Sequence, residues 1–295
     1  MKNKGLTIFL ITLLSIIVIA IIVFMILFMN NKINFLNFKL YKGESEIIEI
    51  EEIYDNQFDE INISVEAGNI DIKNSEEDKI KVIIYNEEKN SIVNANENIL
   101  DINVKAKKCK FFCINTVISK VEVYIPNNYS NKINIENNFG DIEIEEFKNA
   151  SIEIEENYGD IEIERVNKIK VNNDLGNVDI NKANIANIEV AAGDIKIKDV
   201  NEITAENNLG DIEIKNINGY LDITNNCGDI ELYNVVLTKN SNIKSDLGDI
   251  EIDNIENVYI DVEIDVGKAK INNNYKDADI TLEITNDLGD IKIDN

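Results

Sequence analysis

A row of aspartates is the feature of the sequence best suited to chemistry. Asp194, Asp211, Asp229 and Asp249 each directly follow a glycine, about 17 to 20 residues apart. If equivalent positions stack on one another, neighbouring carboxylates lie about 4.8 Å apart. Because Ca²⁺ prefers oxygen ligands, the row is a candidate calcium site, and calcium is the one cofactor that the sequence suggests.

The same aspartates also have a structural interpretation. In a tight turn, an aspartate side chain accepts a hydrogen bond from nearby backbone N–H groups. Asn69 and Asn177 occupy the equivalent position in two repeats, and Lys268 interrupts the row. Repulsion between stacked carboxylates costs about 1 kcal/mol in water, close to the gain from one such bond. Turn capping is therefore favoured, and calcium binding is the alternative.

The composition excludes most familiar catalytic centres. The chain has no histidine, which removes Ser-His and Cys-His nucleophile pairs and every His-ligated metal site. The net charge of −26, from 55 acidic and 29 basic residues, repels nucleic acid. Acidic residues are so abundant that carboxylate pairs arise by chance, which weakens any argument for a glycosidase. We therefore expect no enzyme activity and no nucleic-acid partner.

The three cysteines give weak signals. On one continuous strand Cys109 and Cys113 lie roughly 13 Å apart, too far for a disulfide unless the chain bends between them. Neither a CxxC pair nor a histidine supports a metal site. Cys227 occupies a position that is apolar in other repeats, so we expect a small core residue there rather than a nucleophile.

The glycines before the aspartates mark a repeat. Variants of GDIEI recur about every 17 to 22 residues after a first long gap. Apolar residues stand two and four positions after each glycine, with a charged residue between them, which is the period of a strand with one buried face. These apolar columns begin at Ile70 and Ile72, pass through Ile212 and Ile214, and reach Ile291 and Ile293.

A second short strand precedes each glycine, as in Ile152–Ile154. The similarity of the units and the short period favour coils that stack strand on equivalent strand over antiparallel hairpins. The sequence therefore predicts an all-β fold, a parallel β-helix or β-solenoid with about 17 to 22 residues per coil. We expect regular repeats over residues 139–295 and a degenerate β-strand region over residues 47–138, where Pro126 ends one strand.

The corner of each coil yields further expectations. The glycine fits a tight turn with a positive φ. The residue before it is usually apolar, as at Leu175 and Leu209, and we expect this column to form a third internal rung. The last repeat stops shortly after Ile293, so we expect an uncapped C-terminal coil whose edge is protected by charge or used by a partner.

The N-terminus carries an uncharged run, Leu6 to Met29, that covers about 36 Å as a helix and exceeds the hydrocarbon core of about 30 Å. A cleaved signal peptide would have a shorter apolar region and a small-residue cleavage site. We expect an uncleaved transmembrane signal anchor over residues 6–29, between a cytoplasmic segment, 1–5, and a membrane-proximal linker, 30–46. Lysines flank both ends, so charge barely orients it. An anchor ahead of a large acidic domain favours a single-pass cell-membrane protein with most of the chain outside.

The segments FDEINISVEAGNIDI and VEVYIPNN, followed by serial GDIEI units, resemble the bacterial putative adhesin family of β-strand-repeat envelope domains, whose function is unknown. The resemblance covers residues 47–295. It implies a β-solenoid ectodomain on a bacterial envelope, in a family sometimes associated with envelope-stress systems, and it brings no catalytic residues.

Three functions remain open at this point. The favoured one is a noncatalytic adhesin or structural module that binds cell-wall polymer. An alternative is an envelope-stress accessory that binds a membrane protein through the last coil. A polysaccharide-acting β-helix enzyme is less favoured, because the repeat leaves no insertion large enough to form a cleft.

Overall fold

The computed structural model describes residues 48–55, 57–86, 91–106, 119–272 and 274–294. Within these ranges the regular structure is all β-strand, and no helix is long and apolar enough to cross a membrane. The expected anchor at 6–29 and its flanking segments 1–5 and 30–46 lie outside the described residues, as do Cys109 and Cys113.

The strands, in chain order, are β1 (Ile48–Asp55), β2 (Glu60–Val65), β3 (Gly68–Ser75), β4 (Lys79–Asn86), β5 (Ile92–Asn96), β6 (Ile99–Val104), β7 (Ser119–Pro126), β8 (Lys132–Asn137), β9 (Ile142–Tyr158), β10 (Ile161–Leu175), β11 (Val178–Ala192), β12 (Ile195–Asn207), β13 (Ile212–Asn225), β14 (Ile230–Leu237), β15 (Ser241–Leu247), β16 (Ile250–Ile255), β17 (Tyr259–Val266), β18 (Ala269–Ile271), β19 (Thr281–Leu288) and β20 (Ile291–Asp294).

The central strands confirm the predicted parallel β-solenoid. Strands β9 to β13 pair with their neighbours in parallel, with equivalent residues of successive coils aligned. Ile161, for example, is aligned with Ile142 on one side and Val178 on the other. The first part of β9 pairs with β3 and its last part with β8, so one long strand contributes to two sides of the coil.

The core lies between these two sides. Apart from Ala269 and Ile271 on the outermost coil, both apolar columns after the glycines are buried, and Ile212 and Ile214 are completely buried. The short strands before the glycines supply the facing columns, in which Leu221 and Ile223 are also completely buried. Burial of each such side chain contributes roughly 1.5 to 3 kcal/mol before conformational entropy is counted, so the ladders are the main source of stability.

Glycine is required at the corners for two reasons. Gly210 has φ of +136°, a conformation that side chains with a Cβ rarely adopt. In addition, a Cβ on Gly210 would lie 2.1 Å from the carbonyl oxygen of Gly193 in the adjacent coil. The predicted positive φ is confirmed at most corners, and the close stacking of backbone on backbone is a further constraint.

An inward asparagine three residues before the glycine fills the inside of five of the ten corners. Asn173 Nδ2 donates to the carbonyl oxygens of Gly159, at 3.2 Å, and Gly176, at 3.1 Å. The interior amides of this type are Asn137, Asn173, Asn207, Asn225 and Asn286. They link successive corners and satisfy glycine carbonyls that would otherwise be buried without a partner.

The described residues between 48 and 138 are mostly β-strand, and their topology is mixed. The coil made by β2 and β3 stacks in parallel on β8 and β9. Beyond it, β6 and β7 continue the parallel stack on β2 and β3, and then β4 pairs antiparallel with β1 and β7 while β5 pairs antiparallel with β6. Strand β7 ends at Pro126, as predicted. The N-terminal end of the stack is therefore built from antiparallel strands.

At the other end, the order of coils in space differs from their order in the chain. Strand β19 lies between β15 and β17, and β20 lies between β16 and β18. The expectation that the C-terminal coil is the open end is therefore wrong. That coil is sandwiched, and the outermost one is 259–271. Each unit can align with any other unit in the same register. The repeat in the sequence therefore does not determine the order in which the units stack.

Candidate binding surface at the glycine corner

The aspartate row lies on the surface beside the glycines, and its side chains connect neighbouring coils. Asp194 Oδ1 accepts the backbone N–H of Asp211 at 3.0 Å, and Asp211 Oδ1 accepts that of Asp229 at 2.8 Å. Asp229 Oδ1 likewise accepts the N–H of Asp249 at 2.8 Å. The capping role is thus present, but each bond reaches the next coil rather than its own turn.

Calcium binding by this row stays a prediction. Among the described residues, the carboxylates close enough together to share one ion belong to a different group, Glu251, Asp253 and Asp294. Lys292 already pairs with Glu251 and, at 2.9 Å, with Asp294. That neighbouring charge neutralises much of the group and disfavours a cation there.

An exposed apolar ridge runs beside the aspartate row. It consists of the residues directly before the corner glycines, namely Phe139, Tyr158, Leu175, Ala192, Leu209, Cys227, Leu247, Leu288 and Val266 in their order along the stack, of which Ala192 and Cys227 are partly exposed and the others exposed. Leu175 is 53% exposed and Leu209 is 56% exposed. With about 4.8 Å between rungs, the ridge extends roughly 38 Å.

This geometry corrects the prediction that the column is a third internal rung. The inward asparagine occupies the inside of the corner, as Asn207 does by donating to Gly193 O at 2.9 Å. The backbone turns around that amide, so the side chains of Asn208 and Leu209 both point outward. Cys227 belongs to the same surface column and is partly exposed, so its expected place in the core is also wrong.

Polar rows flank the ridge on both sides. The aspartate row follows the glycines, and the second row lies two residues before them. Asp174, Asn208, Asp246 and Asp287 belong to this second row and are exposed or partly exposed. A partner that covers the ridge therefore meets an apolar strip with a largely acidic border on one side and a border of mixed aspartate and asparagine on the other.

Glu156 takes the place of the inward asparagine at one corner. It is 2% exposed, its Oε1 accepts the Tyr158 N–H at 3.2 Å, and its Oε2 has no partner. Burial raises the pKa of Glu156 to about 7, because the interior penalises a charged carboxylate more than that hydrogen bond stabilises it. The side chain lies inside the corner, so we assign it a structural rather than a chemical role.

The sequence contained signals for some of these features. An asparagine recurs three residues before several glycines, which was sufficient to indicate the inward amides. The ridge was visible as an apolar column, but strand alternation alone cannot show on which side of a corner a side chain lies.

Comparison with known proteins places the chain by family. The family model Toastrack DUF4097 matches residues 58–233 and 185–295. No curated protein shows significant sequence similarity to the chain.

Several solved bacterial protein structures align with most of this chain. A putative adhesin from Bacteroides fragilis is 16% identical, with 84% of this chain and 98% of that one covered and a TM-score of 0.46. A putative adhesin from Parabacteroides merdae is 12% identical, with coverage of 85% and 97% and a TM-score of 0.49. A putative lipid binding protein from Parabacteroides distasonis is 18% identical, with coverage of 84% and 97% and a TM-score of 0.48.

Proposed function

Because the chain belongs to the Toastrack DUF4097 family, we propose that it is a noncatalytic, adhesin-like β-solenoid that binds cell-envelope material through its apolar ridge. The observation that carries this proposal is the ridge itself. Contiguous apolar surface is uncommon on soluble proteins and typically marks an interaction site. Here large side chains such as Leu175, Leu209 and Leu247 are about half exposed along one edge of the stack.

The regularity of the ridge favours a partner that also repeats. Each rung presents a similar contact about 4.8 Å from the next. A cell-wall polymer can meet many rungs at once, so individually weak contacts combine through effective concentration. Phe139 and Tyr158 offer ring faces at the start of the ridge, which suit the apolar faces of sugars.

The proposed location is the cell membrane, with one span and most of the chain outside the cytoplasm. Support comes from the uncharged run at residues 6–29, which is long enough to cross a bilayer. An anchor of this kind would hold the solenoid close to envelope polymers.

A noncatalytic role is supported by the uniformity of the outward columns. Glu143, Glu162 and Asp179 occupy equivalent positions on successive coils, and each has another carboxylate of this outward column beside it. A glycosidase instead needs one carboxylate pair whose two environments differ. The polysaccharide-acting enzyme is therefore the less favoured proposal.

Co-sedimentation of the detergent-solubilised full-length protein with purified bacterial cell wall tests the proposal. We expect saturable binding that falls at least tenfold in the double variant Leu175→Ser, Leu209→Ser. The matched control, Glu213→Ser with Glu231→Ser, changes two outward residues on a solenoid face and should bind as the parent does. Equal binding by all three proteins, or no binding by the parent, would contradict the proposal.

Repeating the assay with millimolar calcium and with chelator tests the aspartate row. Binding that requires calcium and is lost in Asp211→Asn would establish the row as an ion site. Equal binding to cell wall with calcium and with chelator would indicate that the aspartate row serves only to form hydrogen bonds between coils.

A further inference from the structure

The outermost coil, 259–271, has an open edge. Strand β17 pairs with β19, β18 pairs with β20, and no other described strand pairs with either of them. Val262 and Ile264 are only partly buried, whereas Ile284, aligned with Val262 in the adjacent coil, is 1% exposed. Inward-facing positions of the solenoid are thus left partly uncovered at this level.

The backbone at this edge is directed away from the stack. Tyr259 N–H donates to Ile280 O, on the side of β19. At the next residue, Ile260 N–H donates to Asn274 Oδ1 at 2.9 Å, and Asn274 Nδ2 donates to Ile260 O at 2.7 Å. Because the direction of hydrogen bonding alternates along a strand, the N–H and C=O groups of Val262 and Ile264 also face the open side.

Asn274 shows what chemistry the edge accepts. Its side-chain amide both accepts from and donates to Ile260, as the N–H and C=O of one residue in an added antiparallel strand would. This contact occupies the first pairing position of β17. The following positions, Val262 and Ile264, have no such partner among the described residues.

The charge at the edge selects among possible occupants. The outward side chains of β17 are Asp261, Glu263 and Asp265, all of them exposed, and Glu283 lies beside Asp261 on β19. A second copy pairing through β17 would bring these acidic rows together, and like charges directly opposite one another are destabilising. A strand with outward lysine or arginine would instead pair with them.

We propose that the open edge of β17 receives an extended segment of a partner protein in which apolar residues alternate with lysine or arginine. The segment adds a strand to the stack, its apolar side chains cover Val262 and Ile264, and its basic side chains face the acidic row. Only the last rung of the apolar ridge, Val266, lies on this strand, and the ridge residues Leu175 and Leu209 lie at least four rungs away from it. In the alternative role, the protein is an accessory that binds an envelope membrane protein. This edge places that contact on coil 259–271 rather than on the C-terminal coil.

A peptide titration tests the proposal on the full-length protein in detergent. The probe is a fluorescein-labelled seven-residue peptide of alternating lysine and valine, followed by fluorescence anisotropy. The comparison peptide has the same sequence with N-methyl groups on alternate residues, which removes backbone donors from one edge but keeps every charge. We expect saturable binding of the first peptide and at least tenfold weaker binding of the second.

Two variants locate the site. Val262→Pro removes an N–H that faces the open side, while the odd-numbered residues Asp261 and Glu263 keep the hydrogen-bonding direction toward β19. We expect at least tenfold weaker peptide binding with an unchanged melting temperature. Val262→Ala keeps the N–H, and we expect its affinity to lie within about threefold of the parent.

Three results would overturn the proposal. Equal binding of the two peptides would mean that charge attraction alone explains it. Unchanged affinity in Val262→Pro would place the contact elsewhere. Self-association that Val262→Pro abolishes, measured by analytical ultracentrifugation, would identify a second copy as the occupant. The ridge variant Leu175→Ser, Leu209→Ser should bind the peptide normally, so failure of the ridge and failure of this edge can be distinguished.

Discussion

The two ends of the solenoid are finished in different ways. At the N-terminal end, antiparallel strands follow the last parallel coil, and the inward residues Ile80, Val82 and Ile84 of β4 are completely buried. At the other end, the last coil is parallel like the rest, and Val262 and Ile264 are partly uncovered. A stacked repeat has no natural end, so each terminus requires its own solution. At the N-terminal end β4 is paired on both edges, by β1 and by β7, whereas at the other end β17 has one described partner and its inward residues are partly exposed.

Charge follows the same division. Asp71 and Glu122 near the N-terminal end share Lys73 and Lys120 in a network whose N–O distances run from 2.8 to 3.1 Å. The acidic row on β17 has no lysine paired with it among the described ion pairs. Opposite charges are therefore matched within the chain at one end and offered to a partner at the other.

The largest effect should come from charging the buried ladder. Ile212→Asp places an unpaired carboxylate in a completely buried position, and we expect a loss of about 4 kcal/mol or more. Val262→Asp makes the same change at the open coil, where water reaches the side chain, and should cost about 1 to 2 kcal/mol. Urea unfolding measures both. Glu213→Lys changes an outward residue and is the control. If Glu213→Lys and Ile212→Asp had equal melting temperatures, the account of a buried apolar ladder would be contradicted.

A bulky side chain at a corner should have the next largest effect. Gly210→Val combines φ of +136° with a Cβ position 2.1 Å from Gly193 O, so we expect a loss of about 3 kcal/mol or more. Asn208→Val, two residues away on the exposed surface, should stay within about 0.5 kcal/mol. Thermal unfolding followed by circular dichroism compares the two variants, and a neutral Gly210→Val would contradict the stacked corner.

Replacing the buried carboxylate should stabilise the protein at high pH. The pKa of Glu156 is about 7 in the folded chain, above its ordinary value, so its favourable contribution is complete below about pH 4.5 and is lost as pH rises through 7. Glu156→Asn restores the inward amide and should add about 2 to 3 kcal/mol at pH 8, with little gain at pH 4. A gain in unfolding free energy that does not depend on pH would contradict this origin.

The smallest effect should come from the N-terminal ion network. Its lysines lower the pKa of Glu122, so its stabilising contribution is present at neutral pH and is lost as pH falls through that lowered pKa. Glu122→Gln should cost about 1 kcal/mol at low salt and less at 1 M salt, since its partners are partly exposed. Asp265→Asn at the open end should be neutral. Equal losses of unfolding free energy in Glu122→Gln and Asp265→Asn would contradict an electrostatic difference between the two ends.

The sequence was sufficient to predict the ladders and the corners but not the order of the coils. Alternation around Ile212 and Ile214 reports burial directly, because a strand has a fixed period. It cannot report that residues 281–294 enter the stack between residues 241–255 and 259–271, since each of these units fits every level. The position of Leu209 was predicted wrongly for a related reason, because the corner changes the direction of its side chain.

Cross-linking at the corner tests the stack order most directly. In a chain whose native cysteines are replaced by serine, Leu247→Cys with Leu288→Cys lies on adjacent rungs, about 4.8 Å apart, which suits a disulfide. Leu247→Cys with Val266→Cys lies two rungs apart, about 9.6 Å, which is too far. We predict efficient oxidation of the first pair and little of the second, measured by the gel shift of the intact chain. The reverse result would place the coils in sequence order and contradict the open end at coil 259–271.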